Sequence, residues 1–248
     1  MAMPKVVYLF DVDGTLTEPL SEIDDEFADI FLSWLRDYEK TAYLVTGSDI
    51  AKTQRQIFGS FIDQCAGIFT CSGNVFYTQG RLVYENDLVL PSTFIEDLEL
   101  YLEEGSDWRK KTGNHIEIRQ GMVNFSTVGR NASPDLRSAY YKWDQDVGER
   151  EDIVEYITNL YPELEVAIGG TISVDIYPAG KNKSQVVEKM QELYGSDVSL
   201  VFVGDRNIPG GNDWPLAQRL ERMENCHWFQ VLSYEETRAL IQHSELFI

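Results

Sequence analysis

Four short runs of apolar residues, each followed at once by small or acidic residues, constrain the fold of this 248-residue chain most strongly. They lie in VVYLFDVDG (6–14), AYLVTGSD (42–49), GIFTCSGN (67–74) and VSLVFVGD (198–205). The runs lack polar alternation, which is typical of strands buried on both faces of a parallel sheet. Helical spacing of apolar residues lies between them, as from Phe27 to Leu35. Alternating strands and helices predict a Rossmann-like α/β core with all four polar ends at one edge of the sheet.

The middle third of the chain has a different pattern. The segments NHIEIRQG, MVNFSTVG, EVAIGG and TISVDIYP alternate apolar and polar residues. Such alternation predicts an antiparallel sheet with one face packed and the other in water. The chain would cross between domains near Gly80 and near Gly180. We therefore expect a core domain of residues 1–82 and 184–248, and an inserted α+β cap domain of residues 83–183.

Composition narrows the classes of function. The formal charge of -20 argues against a nucleic-acid partner, because binding to phosphate backbones depends on a basic surface. Three cysteines without zinc spacing favour a reduced, cytoplasmic compartment over a disulfide framework. No signal-peptide pattern is present and no apolar stretch reaches about 18 residues, so we expect no membrane span.

One segment runs against the overall acidity. Residues 105–142 contain seven basic and three acidic side chains. A cationic patch on an anionic protein indicates a small anionic ligand, because arginine forks match phosphate oxygens. The alternative is that these side chains neutralise nearby surface acids, and we prefer that alternative for Arg109, Lys110 and Lys111.

The first polar strand end carries two carboxylates, Asp11 and Asp13, and then Gly14, which permits a tight turn. A bare DxDG is also compatible with an ordinary turn after a core strand. The longer string DVDGTLT resembles the first motif of the haloacid dehalogenase superfamily of phosphotransferases, whose members use the first aspartate as a covalent nucleophile. Asp11 would then attack phosphorus. Asp13 would protonate the leaving sugar oxygen and later deprotonate the next attacker.

Phosphoryl transfer also needs cations and fixed donors around the phosphate. Mg²⁺ prefers hard oxygen ligands, and the candidates are the Asp11 side chain, the Asp13 carbonyl and Asp205. Asp213 would either bind the metal itself or hydrogen-bond to a group that binds it. Two more residues complete the predicted catalytic set: Thr46 would donate a hydroxyl to a phosphoryl oxygen, and Lys183 would neutralise charge. Taken alone, a threonine after a strand is more often a helix cap, and a lysine such as Lys183 is more often solvated. The order of the motifs along the chain is what favours the catalytic roles.

A narrower resemblance covers nearly the whole chain. IEIRQGMVNFSTVGR, GGTISVDIYPAGKNKSQ and FVGDRNIPGGND are similar to cap and core motifs of eukaryotic-type phosphomannomutases. TGSDIAK, and CSGN followed by QGRLV, fit the same family. The resemblance implies interconversion of mannose 6-phosphate and mannose 1-phosphate for GDP-mannose synthesis. It also implies Mg²⁺, glucose 1,6-bisphosphate or mannose 1,6-bisphosphate as activator and intermediate, and a homodimer through the cap.

The resemblance assigns five substrate-binding residues by position. Arg119, Arg130 and Arg137 match arginines that hold the distal phosphate, and Ser173 and Asp175 match residues that contact the sugar. Ser173 and Asp175 are two positions apart on an alternating strand, so both face the same side of the cap sheet. Periodicity alone is also compatible with an exposed polar face.

Two departures from the family pattern stand out. Leu20 occupies the position of an arginine that helps to bind substrate, and GKNK replaces the usual GWDK while Lys183 stays in register. A lost charge-assisted contact is worth roughly 1.5–3 kcal/mol. The departure at Leu20 keeps a sugar-phosphate phosphatase open as an alternative to a mutase. A non-catalytic sugar-phosphate sensor is disfavoured, because binding alone needs neither a nucleophile nor its acid/base partner.

Overall fold

The computed structural model describes residues 6–243, so the ends of the predicted core domain, residues 1–5 and 244–248, lie outside the described residues. Two compact units are present. The described residues up to Glu85, together with those from Asn182 onward, form the first unit, and Asn86–Lys181 form the second.

Within residues 6–243 there are eleven strands. They are β1 Val6–Phe10, β2 Thr41–Val45, β3 Gly67–Thr70, β4 Val75–Thr78, β5 Arg81–Glu85, β6 Ile116–Arg119, β7 Met122–Phe125, β8 Leu164–Gly169, β9 Ser173–Pro178, β10 Ser199–Gly204 and β11 His227–Gln230.

The same part of the chain forms nine α-helices. They are α1 Asp25–Asp37, α2 Ile50–Gln56, α3 Gly59–Ile62, α4 Phe94–Leu100, α5 Pro134–Val147, α6 Glu149–Leu160, α7 Val186–Tyr194, α8 Trp214–Glu221 and α9 Tyr234–Gln242. A π-helical turn, Tyr101–Gly105, continues α4, and 3₁₀ turns occupy Cys71–Gly73 and Lys183–Gln185.

The first unit contains a seven-stranded sheet in the order β11-β10-β1-β2-β3-β4-β5. The five strands from β11 to β3 are parallel, which confirms the α/β core predicted from the four apolar runs. Tyr8 and Phe10 of β1 are buried in one apolar cluster and Val7 and Leu9 in another. Because both faces of β1 are covered, its sequence has no polar alternation.

The boundaries of the second unit differ from the predicted 83–183. The turn at Gly80 returns the chain as β5, which pairs antiparallel with β4 and remains in the sheet of the first unit. At the other boundary, the first unit begins again at Asn182 and includes Lys183. The inserted segment is therefore residues 86–181. The sequence around Gly80 indicated a change of direction, which we interpreted as a crossing point between domains, but it did not show that the strand after Gly80 pairs with β4.

The second unit contains a four-stranded antiparallel sheet in the order β6-β7-β9-β8. Helices α4 and α6 supply Phe94 and Ile153 to an apolar core that also contains Phe125 and Val174 of the sheet. The alternating segments of the sequence therefore form the predicted antiparallel sheet. No helix within residues 6–243 is both long enough and apolar enough to cross a membrane.

Candidate active site

The carboxyl ends of adjacent parallel strands bring the main predicted residues of the first unit together. Asp11 follows β1, and its backbone N–H donates to the Val203 carbonyl of β10 at 2.9 Å. Asp205 follows β10, and Asp213 directly precedes α8. One ligand atom from each of these three aspartates lies within 4.8 Å of the others. The chain thus forms a compact group of three carboxylates at the predicted edge of the sheet.

Lys183 lies beside this carboxylate group. Its Nζ atom donates to Oδ1 of Asp11 and to Oδ1 of Asp213, each at 2.5 Å. The lysine is fully buried. It begins a 3₁₀ turn in which the Asn182 side chain accepts a hydrogen bond from the Ser184 N–H at 2.8 Å. The GKNK segment therefore places the lysine against the nucleophile candidate, and Lys183 is not a solvated surface residue.

Two glycines leave room for these carboxylates. A Cβ atom on Gly14 would lie 2.7 Å from Asp205 Oδ2, and φ at Gly14 is +85°, a value that favours glycine. A Cβ atom on Gly204 would lie 2.7 Å from Asp213 Oδ2. The glycines of DVDGT and FVGD therefore permit close approach of the acids as well as a turn.

The electrostatics of the group follow from burial and from like charges. Burial raises the pKa of Asp11, and Asp213 and Asp205 raise it further, although Lys183 opposes them. Burial and Asp213 raise the pKa of Asp205 to about 7. Burial alone would lower the pKa of Lys183, but the two carboxylates that it contacts raise it above its ordinary value. Three close carboxylates with one buried lysine therefore carry excess negative charge.

This donor set fits a hard divalent cation. Carboxylate oxygens are the ligands that Mg²⁺ prefers, and a cation would relieve the repulsion that raises the pKa values of Asp11 and Asp205. Asp213 precedes a helix, yet its side chain makes no capping hydrogen bond to that helix. It binds Lys183 and the Arg206 N–H at 3.0 Å instead. Asp11, Asp205 and Asp213 are thus the residues that could hold the metal.

Asp13 has separate surroundings. Lys52 Nζ donates to Asp13 Oδ2 at 2.6 Å, and Ser48 Oγ donates to the same oxygen at 3.1 Å. Gln56 Nε2 donates to Asp13 Oδ1 at 2.8 Å, and the Leu20 N–H donates at 3.3 Å. Burial raises the pKa of Asp13, but these donors lower it more, to about 2. Its side chain is not a member of the three-aspartate group, so only its carbonyl remains a predicted metal ligand.

Lys52, Ser48 and Gln56 were not predicted as site residues. Asp49 begins helix α2, and its side chain accepts from the Lys52 N–H at 2.7 Å. Lys52 and Gln56 lie four residues apart on this helix, so they share a face. That spacing, in the segment directly after a strand end, was the available signal. The motif TGSDIAK already contained two of the three residues.

Thr46 and Leu20 lie near Asp13 but have different surroundings: the Thr46 hydroxyl contacts a backbone N–H, and Leu20 lies in a turn. The buried Thr46 hydroxyl accepts from the Ser48 N–H at 3.0 Å, a contact that threonines commonly make after a strand. Its donation to a phosphoryl oxygen stays a prediction. Leu20 has φ +68°, and its side chain is half exposed, so the position of the family arginine holds an uncharged side chain.

In the second unit, Arg119 and Arg130 face one acidic side chain. Glu117 Oε2 accepts from Arg119 Nε at 3.1 Å and from Arg119 Nη2, and it lies 3.7 Å from Arg130 Nε. Arg137 Nε donates to the Ala132 carbonyl at 2.9 Å, and Arg137 Nη2 donates to the Arg130 carbonyl. The structure thus brings the three predicted arginines together, and Arg137 supports the turn that carries Arg130.

Ser173 and Asp175 are both buried, which excludes the alternative of an exposed polar face. Asn124 of β7 donates through Nδ2 to Ser173 Oγ at 3.0 Å and to Asp175 Oδ1 at 2.7 Å. By contrast, the exposed Arg109 lies 3.6 Å from the exposed Asp107, in agreement with the surface role that we prefer for Arg109.

Comparisons with known proteins agree with these features. The model of one protein family, described as eukaryotic phosphomannomutase, matches residues 29–243. Phosphomannomutase 1 of Dictyostelium discoideum is 31% identical over 253 residues, which cover 99% of this chain and 98% of that protein. The phosphomannomutase of Spinacia oleracea is 31% identical over 260 residues, which cover 100% of this chain and 98% of that protein.

A solved structure shows the same fold. The C-terminal domain of C. albicans trehalose-6-phosphate phosphatase matches with a TM-score of 0.64 at 16% identity, over 97% of this chain and 93% of that one. At this identity the likeness concerns the fold alone. It agrees with the fold class predicted from DVDGTLT and the apolar runs.

Proposed function

Because the chain belongs to the eukaryotic phosphomannomutase family, we propose that it interconverts mannose 6-phosphate and mannose 1-phosphate through an aspartyl-phosphate enzyme and a hexose 1,6-bisphosphate. The observation that carries this proposal is the buried contact between Asp11 and Lys183 at 2.5 Å, within a group of three carboxylates. A carboxylate nucleophile beside a buried cation suits phosphoryl transfer through an aspartyl phosphate.

Asp11 is the proposed nucleophile. One carboxylate oxygen forms a bond to phosphorus of the bisphosphate, and the bond between phosphorus and the sugar oxygen breaks. Lys183 stays beside Asp11 and offsets negative charge on the phosphoryl group. Mg²⁺ bound by Asp11, Asp205 and Asp213 would further neutralise that charge.

Asp13 is the proposed proton carrier. It gives a proton to the sugar oxygen that leaves phosphorus, and it takes one from the sugar hydroxyl that next attacks the aspartyl phosphate. The donors around Asp13 hold it as a carboxylate, which is the state that a base needs. The protonated state requires Asp13 to leave at least part of this set of donors. Lys52 is therefore a positioning residue for the proton carrier.

The second unit is proposed to bind the phosphate that does not react. Support comes from Arg119 and Arg130, which both lie close to Glu117 Oε2, and from Arg137, which holds the turn at Arg130. Ser173 and Asp175 are proposed to contact the sugar, with Asn124 fixing both side chains.

Other parts of the proposal derive from the family resemblance. They are activation by glucose 1,6-bisphosphate or mannose 1,6-bisphosphate, a homodimer through the second unit, a cytoplasmic location and supply of GDP-mannose synthesis.

One observation favours hydrolysis as a second candidate function. Leu20 puts an uncharged, half-exposed side chain where the family has a substrate-binding arginine. A weaker hold on the substrate would let water compete for the aspartyl phosphate. Leu20→Arg is expected to lower KM for mannose 1-phosphate and to reduce any release of free phosphate.

A single incubation tests both functions. The protein is mixed with mannose 1-phosphate, Mg²⁺ and catalytic glucose 1,6-bisphosphate, while mannose 6-phosphate and free phosphate are both followed. Dominant mannose 6-phosphate supports the mutase, and dominant free phosphate supports the phosphatase. Asp11→Asn should abolish both products, whereas Asp37→Asn, which changes an exposed acid of the same unit, should abolish neither. Full turnover by Asp11→Asn would contradict the covalent mechanism.

A further inference from the structure

Glu117, which has no role in the proposed chemistry, lies among the arginines of the second unit. A single oxygen of its carboxylate, Oε2, accepts from Nε and Nη2 of Arg119. The same oxygen lies 3.7 Å from Nε of Arg130. One carboxylate oxygen therefore faces two guanidinium groups.

The contact of Glu117 with the two arginines is more buried than an ordinary surface ion pair. The Arg119 side chain is 6% exposed and the Arg130 side chain 16%, whereas that of Glu117 is 31% exposed. Largely buried cations need a nearby negative charge, because removal from water is costly for an uncompensated ion. Glu117 supplies that charge, and its own side chain keeps contact with solvent.

A phosphate group recognises arginine by the same chemistry as a carboxylate does. Each offers two oxygen atoms that can accept hydrogen bonds from the two parallel N–H groups of the guanidinium fork. A phosphate that binds Arg119 or Arg130 therefore meets a carboxylate that already accepts from one and attracts the other. The phosphate and the Glu117 carboxylate compete for the same N–H donors. They also repel each other, and this repulsion is stronger at a partly buried site than in water because the effective dielectric constant is lower.

We propose that Glu117 is an internal counter-ion that lowers the affinity of the arginine cluster for phosphate. The inference rests on the proposed function, namely that these arginines bind the phosphate that does not react and that catalysis runs through a sugar bisphosphate. An enzyme that works through a sugar bisphosphate must bring each phosphate to the reacting position in turn. The cluster must therefore release the phosphate as readily as it binds it, and a resident carboxylate makes release easier.

The geometry lets this role be separated from simple support of the fold. Arg137 donates to the carbonyls of Arg130 and Ala132, so the turn that carries Arg130 is held independently of Glu117. Glu117→Gln keeps the size of the side chain and an acceptor oxygen while removing the charge. A supporting role predicts weaker phosphate binding in this variant, whereas a counter-ion role predicts tighter binding.

The test is calorimetric titration of the full chain with inorganic phosphate, in EDTA at pH 7.5. Glu117→Gln is expected to bind phosphate roughly tenfold more tightly than the wild type, which corresponds to about 1.4 kcal/mol. The gain should shrink as salt is added, because the affected charges are partly exposed. Asp107→Asn is the matched control, since Asp107 also pairs with an arginine of this unit but both side chains are exposed, and it should leave the affinity unchanged.

A double variant tests whether the effect of Glu117→Gln acts through the arginines. In Arg130→Gln the gain from Glu117→Gln should largely disappear. Equal, weaker or undetectable phosphate binding by Glu117→Gln would overturn the proposal, and so would an undiminished gain in the Arg130→Gln background. The titration does not depend on turnover, so its failure would leave phosphoryl transfer by Asp11 to be judged by the product assay with Asp11→Asn.

Discussion

The contact between Lys52 and Asp13 permits a quantitative prediction for Lys52→Met. The two side chains are 15% and 24% exposed, and their charged atoms are 2.6 Å apart. The donors around Asp13 lower its pKa from 3.8 to about 2. At about 1.4 kcal/mol per pKa unit, this corresponds to about 2 kcal/mol of stability at pH 7, most of it from Lys52. We expect Lys52→Met to lower the free energy of unfolding by about that amount.

The sign of the pH dependence follows from the direction of the shift. Because the pKa of Asp13 is lower in the folded chain than in the unfolded chain, the stabilisation is complete well above pH 4. It declines as the pH falls towards 2, and it should be about half as large at pH 3. The difference in stability between wild type and Lys52→Met should therefore be greatest at neutral pH and should narrow in acid.

Urea unfolding at pH 7, 5 and 3 measures this difference, and the carboxyl ¹³C shift of Asp13 reports its pKa directly. Lys189→Met is the matched control. Its ammonium group lies 2.9 Å from Glu192, but the Glu192 side chain is 68% exposed, so the loss should be below about 0.5 kcal/mol. A Lys52→Met variant as stable as Lys189→Met at pH 7, or one with an unchanged Asp13 pKa, would contradict a stabilising ion pair between Lys52 and Asp13.

Three further predictions concern the carboxylate group. Lys183→Met leaves Asp11 and Asp213 buried without their cation, so the free energy of unfolding measured in urea should fall by about 3–5 kcal/mol, and turnover should vanish. Near-normal stability would contradict the assigned ion pairs. Gly204→Ala puts a methyl group against Asp213 and should lower thermal stability by about 1–3 kcal/mol, whereas Gly59→Ala, in open space, should not. Because the pKa of Asp205 is raised to about 7, Mg²⁺ must displace a proton at lower pH. Calorimetry should therefore show weaker Mg²⁺ binding at pH 6 than at pH 8, and equal affinities would argue against Asp205 as a ligand.

The sequence alone was sufficient for the fold class. The uninterrupted apolar runs of β1, β2, β3 and β10 and the alternating segments of the second unit are both local patterns, and each pattern is typical of one kind of sheet. Asp11 and Asp205 could be placed at one edge for the same reason, since the carboxyl ends of parallel strands coincide. The resemblance carried by DVDGTLT, GKNK and PGGND added Lys183 and Asp213 to the predicted site. It did not show which atoms of these residues are in contact.

The partners of these residues, by contrast, depend on the tertiary fold. Lys183 and Asp11 are 172 positions apart, and their contact depends on how distant segments of the first unit pack together. The same holds for Lys52 beside Asp13 and for Glu117 beside Arg130. The residue type determines which hydrogen bonds and ion pairs a side chain can make. The bond that it does make, and the pKa that follows, depend on burial and on neighbours that local periodicity does not encode.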